Sequence, residues 1–224
     1  MNLALFDLDN TLLSGDTDTE WFAFLAEQGV LSAAEQQANQ GMDRRYRAGE
    51  ASALEYVRFY LAPYARHDMP RLLSWRDAFL RERIGPRMLP RARELLAIHA
   101  HDLVVIITAT NRFLTEPIAR AFGVEHLIAT EPQIVDGRFT GDVDGTPCMR
   151  EGKIERLEQW LGQRAQRLAG FEKSWFYSDS INDLPLLERV THPVAVDADE
   201  RLAAIARGRG WRSISLRAPR ADAR

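Results

Sequence analysis

The stretch LALFDLDNTLL, residues 3–13, joins a short apolar run to two aspartates, Asp7 and Asp9. The run at 3–7 has the length and composition of a buried strand. On an extended backbone, residues two positions apart point to the same side, so the two carboxylates face one location. Aspartate also ends many strands simply by opening a turn, and this stretch alone therefore assigns neither carboxylate a task.

Further strand patterns follow along the chain. The runs LVVIIT at 103–108 and KSWFYS at 173–178 are strongly apolar, and weaker strand patterns occur at 193–196 and 211–216. Amphipathic stretches lie between or after these strands, at 89–100, 113–122, 149–168 and 182–189. Because alternating strands and helices pack as a parallel sheet covered on both faces, we predict an α/β fold with a doubly wound parallel sheet.

The segment from Ser14 to Gly85 interrupts this alternation with successive helical patterns and no convincing strand. We predict a small all-helical cap domain at 15–85, inserted after the first strand, and a catalytic core made of 1–14 and 86–216. The glycines at both ends of the insert suit hinges. Asp136-Gly137, between two strand-like runs at 133–143, predicts a β-hairpin.

The composition is that of an ordinary globular protein: of the 224 residues 46% are hydrophobic and 27% charged, with a formal net charge of -3. Because there is no polybasic segment, long apolar run or apolar leader, we expect neither a nucleic-acid nor a membrane partner. The single cysteine, Cys148, fits a reducing compartment. We expect a cytoplasmic monomer or homodimer with a polar tail at 217–224.

Acidic residues are concentrated where predicted strands end. Asp7 and Asp9 follow the first strand, Asp179 and Asp183 follow the run at 173–178, and Thr108 closes another strand with a hydroxyl. The carboxyl ends of parallel strands share one crevice, so these side chains are expected to meet. Like charges so close need a cation, and Mg²⁺ suits oxygen ligands and a phosphate.

Four segments resemble, in order and at compatible separations, the four motifs of the haloacid dehalogenase superfamily: DLDNT at 7–11, the strand that ends at Thr108, Lys153 at a helix start, and SDSIND at 178–183. The helical insert and the Asp-Gly hairpin resemble, more narrowly, its phosphoserine phosphatase-like branch, subfamily IB. The resemblance covers nearly the whole chain. It implies a Rossmann-like core, a Mg²⁺ cofactor and hydrolysis of a small phosphomonoester.

The resemblance implies a role for each motif residue. Asp7 is the nucleophile that forms an aspartyl-phosphate. Asp9 is the acid that protonates the leaving oxygen and then the base that activates water. The Thr108 hydroxyl and the backbone N–H groups of Ala109 and Thr110 bind phosphoryl oxygens.

The remaining motif residues supply charge and metal ligands. Lys153 offsets the negative charge of the phosphoryl group and of Asp7, and Asn182 donates to phosphate or substrate. Asp7, the backbone carbonyl of Asp9, and Asp179 bind Mg²⁺, with Asp183 as a further ligand or as an acceptor behind a metal-bound water. Lys153 and Asp183 also have structural interpretations, as a solvated helix face and a helix N-terminal acid.

The substrate is left open by departures from the phosphoserine phosphatase pattern. Asp16 stands where those enzymes have a glutamate for the substrate ammonium, and the turn after the second motif lacks glycine. Asp16 is expected to pair with a cation and Arg44 with a carboxylate, unless the arginines at 44–47 are a solvated face.

The acidic residues near the cap entrance, Asp16, Asp18 and Glu20, suit an amine- or imidazolium-bearing phosphomonoester. Histidinol phosphate is therefore an alternative to phosphoserine.

Two other classes of protein are alternatives. A signalling receiver also uses an acidic pocket with a hydroxyl and a lysine, but its phosphoacceptor follows a later strand and it lacks a helical insert. A superfamily member without turnover would act as a binding protein, and the intact acidic pairs argue against this.

Overall fold

The computed structural model describes residues 1–217, apart from the side chains of residues 40, 43 and 47. The strands are β1 Leu3–Phe6, β2 Leu103–Asn111, β3 His126–Thr130, β4 Pro132–Val135, β5 Arg138–Val143, β6 Ser174–Ser178, β7 His192–Val196 and β8 Arg212–Ile214. Six of them form one parallel sheet in the order β3-β2-β1-β6-β7-β8. Beyond Arg217 the predicted tail lies outside the described residues.

β1 lies at the centre of the sheet because its side chains are apolar on both faces. Leu3 pairs with Leu103 of β2 on one side and with Ser174 of β6 on the other. The chain builds the sheet outward from β1 in one direction and then from β6 in the other. The carboxyl edge between β1 and β6 is therefore the topological switch point, where open parallel sheets bind ligands.

The helices are α1 Thr17–Glu27, α2 Ala33–Ala48, α3 Ala53–Leu61, α4 Met69–Phe79, α5 Pro90–Ile98, α6 Arg112–Ala121, α7 Glu151–Gly162, α8 Leu184–Leu187 and α9 Glu200–Arg209. Side chains of α5 and α6 share a core with Ala4 and Phe6, whereas side chains of α7, α8 and α9 share another with Leu3 and Leu5. Helices thus cover both faces, which confirms the doubly wound α/β fold. Within the described residues, no helix is both long and apolar enough to span a membrane.

The helical insert follows β1, as predicted, and comprises α1–α4. A polar side chain caps the N-terminus of each helix, and the caps of α2 and α3 are complete capping boxes in which serine and glutamate side chains bond reciprocally. Trp21 packs edge-on against Phe79, with ring centroids 5.0 Å apart, at the centre of an aromatic core. The domain limits at 14/15 and 85/86 stay a prediction.

The predicted hairpin consists of β4 and β5, joined by Asp136 and Gly137, both of which have a positive φ. The hairpin packs on the insert rather than on the main sheet. Arg58 of α3 makes two hydrogen bonds of 2.8 Å to Asp142, and the Tyr64 and Phe139 rings lie 5.3 Å apart. The hairpin therefore connects the core to the insert, in addition to the two places where the chain passes between them.

Candidate active site

A cavity of about 560 Å³ opens at the carboxyl edge of β1, β2 and β6. We call one side of it the motif wall, formed by Asp7, Asp9, Thr108, Ala109, Thr110, Lys153, Asp179, Asn182 and Asp183. We call the opposite side the cap wall, formed by Asp16, Asp18, Tyr46 and Tyr56. The structure therefore brings the predicted motif residues together at the switch point.

Lys153 joins two carboxylates on the motif wall. Its Nζ lies 2.8 Å from Asp7 Oδ1 and 2.7 Å from the Asp183 carboxylate, and all three side chains are buried. The Ser178 hydroxyl donates a further hydrogen bond of 2.6 Å to Asp183. Burial alone lowers the pKa of Lys153, but the charges of Asp183 and Asp7 raise it above its usual value, so the lysine is a cation.

Asp7 is consequently a fixed and partly neutralised carboxylate. Burial raises its pKa to about 6, and the charge and hydrogen bond of Lys153 oppose this rise. A carboxylate in this state carries the negative charge that a nucleophile needs at neutral pH.

Asp9 is held by hydroxyls and a backbone N–H rather than by a cation. The Thr17 backbone N–H donates to Asp9 Oδ1 at 2.8 Å, the Thr17 hydroxyl donates to the same oxygen, and the Thr110 hydroxyl donates to Oδ2 at 2.7 Å. Burial, together with the charge of Asp16, raises the pKa of Asp9 to about 7. A carboxyl that titrates near neutrality suits proton transfer in both directions.

Asp179 faces the same edge from the end of β6. Thr11 connects it to the first motif: the Thr11 hydroxyl donates to Asp179 Oδ1 at 3.1 Å and accepts from the Asp179 backbone N–H at 3.1 Å. Burial and the charges of Asp7 and Asp183 raise the pKa of Asp179 to about 8. The aspartates therefore repel one another, and a cation among them would relieve the repulsion.

The donor set of this edge fits a hard divalent cation, because Asp7 and Asp179 offer only oxygen ligands. Within residues 1–217, no three acidic, histidine or cysteine side chains already converge as a metal-binding cluster. An ion here would thus complete its shell with backbone oxygen, water and substrate phosphate, as Mg²⁺ commonly does.

β2 carries the second motif and is the third strand that ends at the cavity. β2 continues to Asn111, beyond the predicted end at Thr108, and the Asn111 side chain then caps α6 by accepting from the Leu114 N–H at 3.3 Å. The Thr108 hydroxyl accepts from the Thr110 N–H at 3.2 Å, and Ala109 lines the cavity between them. The three residues therefore line the cavity at the end of β2, and their binding of phosphoryl oxygens stays a prediction.

Three predicted substrate ligands occupy different positions. Asn182 lines the cavity from a short 3-10 turn, and Asp16 lines it while capping α1 through a 2.7 Å hydrogen bond from the Thr19 N–H. Arg44 is exposed on α2 and is not among the residues that line the cavity. Tyr46 faces the cavity instead, because positions two apart on a helix point in nearly opposite directions.

Asp18, Tyr46, Tyr56 and Arg150 are among the cavity-lining residues that were not predicted as site residues. Asp18 is the most informative of them. The Thr110 hydroxyl, bonded to Asp9, lies only 3.4 Å from Asp18 Oδ2, so the two carboxylates are neighbours. Burial raises the pKa of Asp18 well above its usual value. Its position among the acids of the cap entrance was the only available sequence signal.

The sheet order, the strand-end aspartates and the buried lysine define an α/β protein with an acidic site at the switch point of its sheet. The family profile of the haloacid dehalogenase-like hydrolases matches residues 4–188. The chain belongs to this family, as the four motifs predicted.

Two proteins of similar sequence have names that state an enzymatic activity. A histidinol-phosphatase of Neisseria meningitidis serogroup C is 42% identical over 214 residues, which cover 94% of this chain and 96% of that protein. A phosphoserine phosphatase of Mycobacterium tuberculosis is 30% identical over 234 residues, covering 99% of this chain and 73% of that one. These relatives place the chain among the phosphatases of the family.

Solved structures agree on the fold. A protein of Bordetella pertussis superimposes with a TM-score of 0.92 at 46% identity, covering 96% of this chain and 99% of the other. A phosphoserine phosphatase carrying an analogue of the phospho-aspartyl intermediate superimposes with a TM-score of 0.65 at 19% identity, covering 90% and 89%. At this low identity the second comparison shows a shared fold.

Proposed function

We propose that this phosphatase hydrolyses small phosphomonoesters with Mg²⁺ and that Asp7 carries the phosphoryl group during turnover. One observation carries the proposal: Asp7 and Asp9 stand side by side, yet the first is bonded to a buried cation and the second to hydroxyls. The environments of the two carboxylates suit different tasks, attack on phosphorus and proton transfer.

In the first step an Asp7 oxygen forms a bond to phosphorus while the bond between phosphorus and the ester oxygen breaks. Protonated Asp9 gives its proton to the departing oxygen, which leaves as an alcohol. Lys153 and the hydroxyl of Thr108 stabilise the charge on the phosphoryl oxygens. The products are the free alcohol and an aspartyl-phosphate at Asp7.

In the second step Asp9, now a carboxylate, takes a proton from water as the water oxygen bonds to phosphorus. The bond between phosphorus and Asp7 breaks, which releases inorganic phosphate and restores both aspartates. Asp7, Asp179 and the Asp9 carbonyl would hold Mg²⁺, with Asp183 behind them. The ion supplies positive charge to the phosphoryl oxygens.

The decisive variant is Asp7→Asn, which removes the nucleophile and keeps the shape of the side chain. We expect metal-dependent release of phosphate from p-nitrophenyl phosphate to fall by about 10³-fold or more. Asp136→Asn, the same change in the exposed hairpin turn, serves as the control and should leave turnover intact. Undiminished turnover in Asp7→Asn with a native circular dichroism spectrum would refute the mechanism.

The same assay separates an enzyme from a signalling receiver or a binding protein. The enzyme releases many phosphates per chain and stops when a chelator removes Mg²⁺. A receiver would keep a phosphorylated aspartate for hours without catalytic release of phosphate.

For the leaving group, we propose an amine-bearing phosphomonoester, with histidinol phosphate as the first candidate and phosphoserine as the second. The acids Asp16 and Asp18 on the cap wall suit a cationic group, and Tyr56 adds an aromatic surface beside them. The name of the Neisseria relative supports the same choice. Specificity constants for histidinol phosphate, phosphoserine, phosphoethanolamine and sugar phosphates test it, and a preference for sugar phosphates would overturn it.

We also propose that the enzyme works in the cytoplasm as a monomer or homodimer. Cell fractionation tests the compartment, and light scattering of the purified chain tests the assembly.

A further inference from the structure

Arg150 has an unusual position directly before α7. Its φ of 49° lies in the left-handed region that L-residues rarely adopt, and such backbone strain is concentrated at functional sites. The turn is also tightly built, because a Cβ on Gly152 would stand 2.1 Å from the Pro147 carbonyl oxygen. The backbone therefore holds Arg150 in a fixed place, three residues before Lys153.

The guanidinium of Arg150 reaches from the core to the helical insert. It lies 4.6 Å from the centre of the Tyr46 ring and donates a hydrogen bond of 3.3 Å to the Tyr46 carbonyl. Arg150 lines the cavity, and it forms no ion pair with any carboxylate whose side chain the structure describes. It thus offers positive charge and further N–H donors to a ligand.

Tyr46 contributes a second unused polar group. The residue is only 3% exposed, and its hydroxyl has no hydrogen-bond partner in the described part of the chain. Burial raises the pKa of this hydroxyl and the neighbouring Arg150 guanidinium opposes the rise. Tyr46 and Arg150 line the same cavity as Asp7 and Lys153. A buried hydroxyl without a partner is costly, which indicates that a ligand completes it.

We infer that Arg150 and Tyr46 bind the phosphoryl group of the substrate across the boundary between core and insert. The inference rests on the phosphoryl site proposed at Asp7. A phosphoryl group presents oxygen acceptors to which a guanidinium and a hydroxyl both donate. Because every substrate carries this group, the pair ties the insert to the core whatever the leaving group is. A carboxylate on the leaving group has similar chemistry and is the competing ligand.

The test compares Arg150→Met and Tyr46→Phe with wild type, using inorganic phosphate in the presence of Mg²⁺. Binding is measured from the rise in Tm with phosphate, and inhibition from its Ki against p-nitrophenyl phosphate. We expect Arg150→Met to weaken phosphate binding about tenfold and Tyr46→Phe, which keeps the ring under Arg150, about threefold. KM should rise by the same factor for p-nitrophenyl phosphate, histidinol phosphate and phosphoserine.

Arg164→Met is the matched control, because Arg164 also stacks on an aromatic ring, that of Trp160, near the other end of α7. It should leave phosphate binding unchanged. A penalty confined to phosphoserine would show that Arg150 binds a carboxylate, and the inference would be wrong. Unchanged phosphate binding in both variants would reduce the pair to a structural contact and also overturn it.

Two provisions keep the outcome decisive. If Arg150→Met fails to fold, Arg150→Lys and Tyr46→Phe carry the test, since both retain a contact between core and insert. If the wild-type protein binds phosphate but hydrolyses no ester, the proposed function is wrong. The phosphate affinities of the variants then still show whether Arg150 and Tyr46 bind phosphate.

Discussion

The two walls of the cavity differ in how their charges are compensated. On the motif wall, Lys153 forms ion pairs with Asp7 and Asp183, and threonine hydroxyls hold Asp9 and Asp179. On the cap wall, Asp18 has only distant hydrogen-bond partners, at 3.4 Å from Thr110 and 3.5 Å from Asn111. No described cation lies within ion-pair distance of Asp18.

This difference suits the two walls to different tasks, the motif wall to the reaction and the cap wall to selection of the leaving group. On the motif wall, protein partners already fix the reacting carboxylates before a leaving group binds. On the cap wall, burial disfavours the charged form of Asp18, and a cationic ligand would stabilise that form. We therefore expect the cap wall, where Asp18 has no described cation, to recognise the leaving group.

Lys153→Met should have the largest effect on the difference between the two walls, because it removes the cation of the motif wall. We expect kcat/KM for p-nitrophenyl phosphate to fall about 10²- to 10³-fold, in line with the loss of one transition-state donor. The free energy of unfolding should fall by about 3–5 kcal/mol at pH 7, since two buried carboxylates lose their partner. This loss should shrink as the pH falls, because protonated carboxyls need no cation.

Lys173→Met is the control for that variant. Lys173 is the only other lysine of the chain and is exposed. Kinetics and urea unfolding should both match wild type. Equal losses of activity and stability in Lys153→Met and Lys173→Met would show that the ion pairs of the buried lysine are not the cause.

Asp18→Asn tests whether the cap wall recognises a cationic leaving group. Asp18 lies beside Asp9, where the leaving oxygen departs, so a nearby ammonium would pair with it. A charged hydrogen bond contributes about 1.5–3 kcal/mol, and we expect kcat/KM for the best aminated substrate to fall about 10- to 100-fold. Turnover of p-nitrophenyl phosphate should change little.

Asp16→Asn is the matched variant, because asparagine caps a helix as well as aspartate does. The Asp16 side chain is already engaged with the Thr19 N–H, and we expect a smaller effect on aminated substrates than from Asp18→Asn. The reverse order would assign the cation to Asp16, as its sequence position suggested. Equal losses on aminated and aryl substrates would remove both residues from recognition.

The motif wall could be predicted from sequence because it depends on local patterns and one topological rule. Each acid follows an apolar run, and parallel strands end at a common edge. β1 between β2 and β6 therefore gathers Asp7, Thr108 and Asp179 whatever the loops do. The family profile and the sheet confirm the family and the fold, and the tasks of these residues stay a prediction.

The cap wall could be predicted only for its acids, because the rest depends on how α1 and α2 rotate against their neighbours. The sequence favoured Arg44, yet it is Tyr46 of α2 that faces the cavity. No pattern in residues 133–143 indicated that the hairpin packs on α3. The backbone of Arg150 leaves no signature either, since arginine has no preference for a positive φ.

The smallest expected effect concerns Thr17, the first residue of α1, which connects the two walls by donating two hydrogen bonds to Asp9. Thr17→Val removes the hydroxyl and keeps the buried volume. Hydrogen bonds to a carboxylate lower its pKa, so their loss should move the pKa of Asp9 above about 7. The protonated acid then persists to higher pH, and the basic limb of the profile of kcat against pH should shift upward.

The rate at pH 7 should fall by less than about tenfold, because the Thr110 hydroxyl and the Thr17 N–H still orient Asp9. Thr17→Ser restores the hydroxyl and should return the profile to that of wild type. An unmoved profile in Thr17→Val would mean that α1 does not hold Asp9 during turnover. The acid would then be controlled from the motif wall alone, through Thr110, and the two walls would act independently.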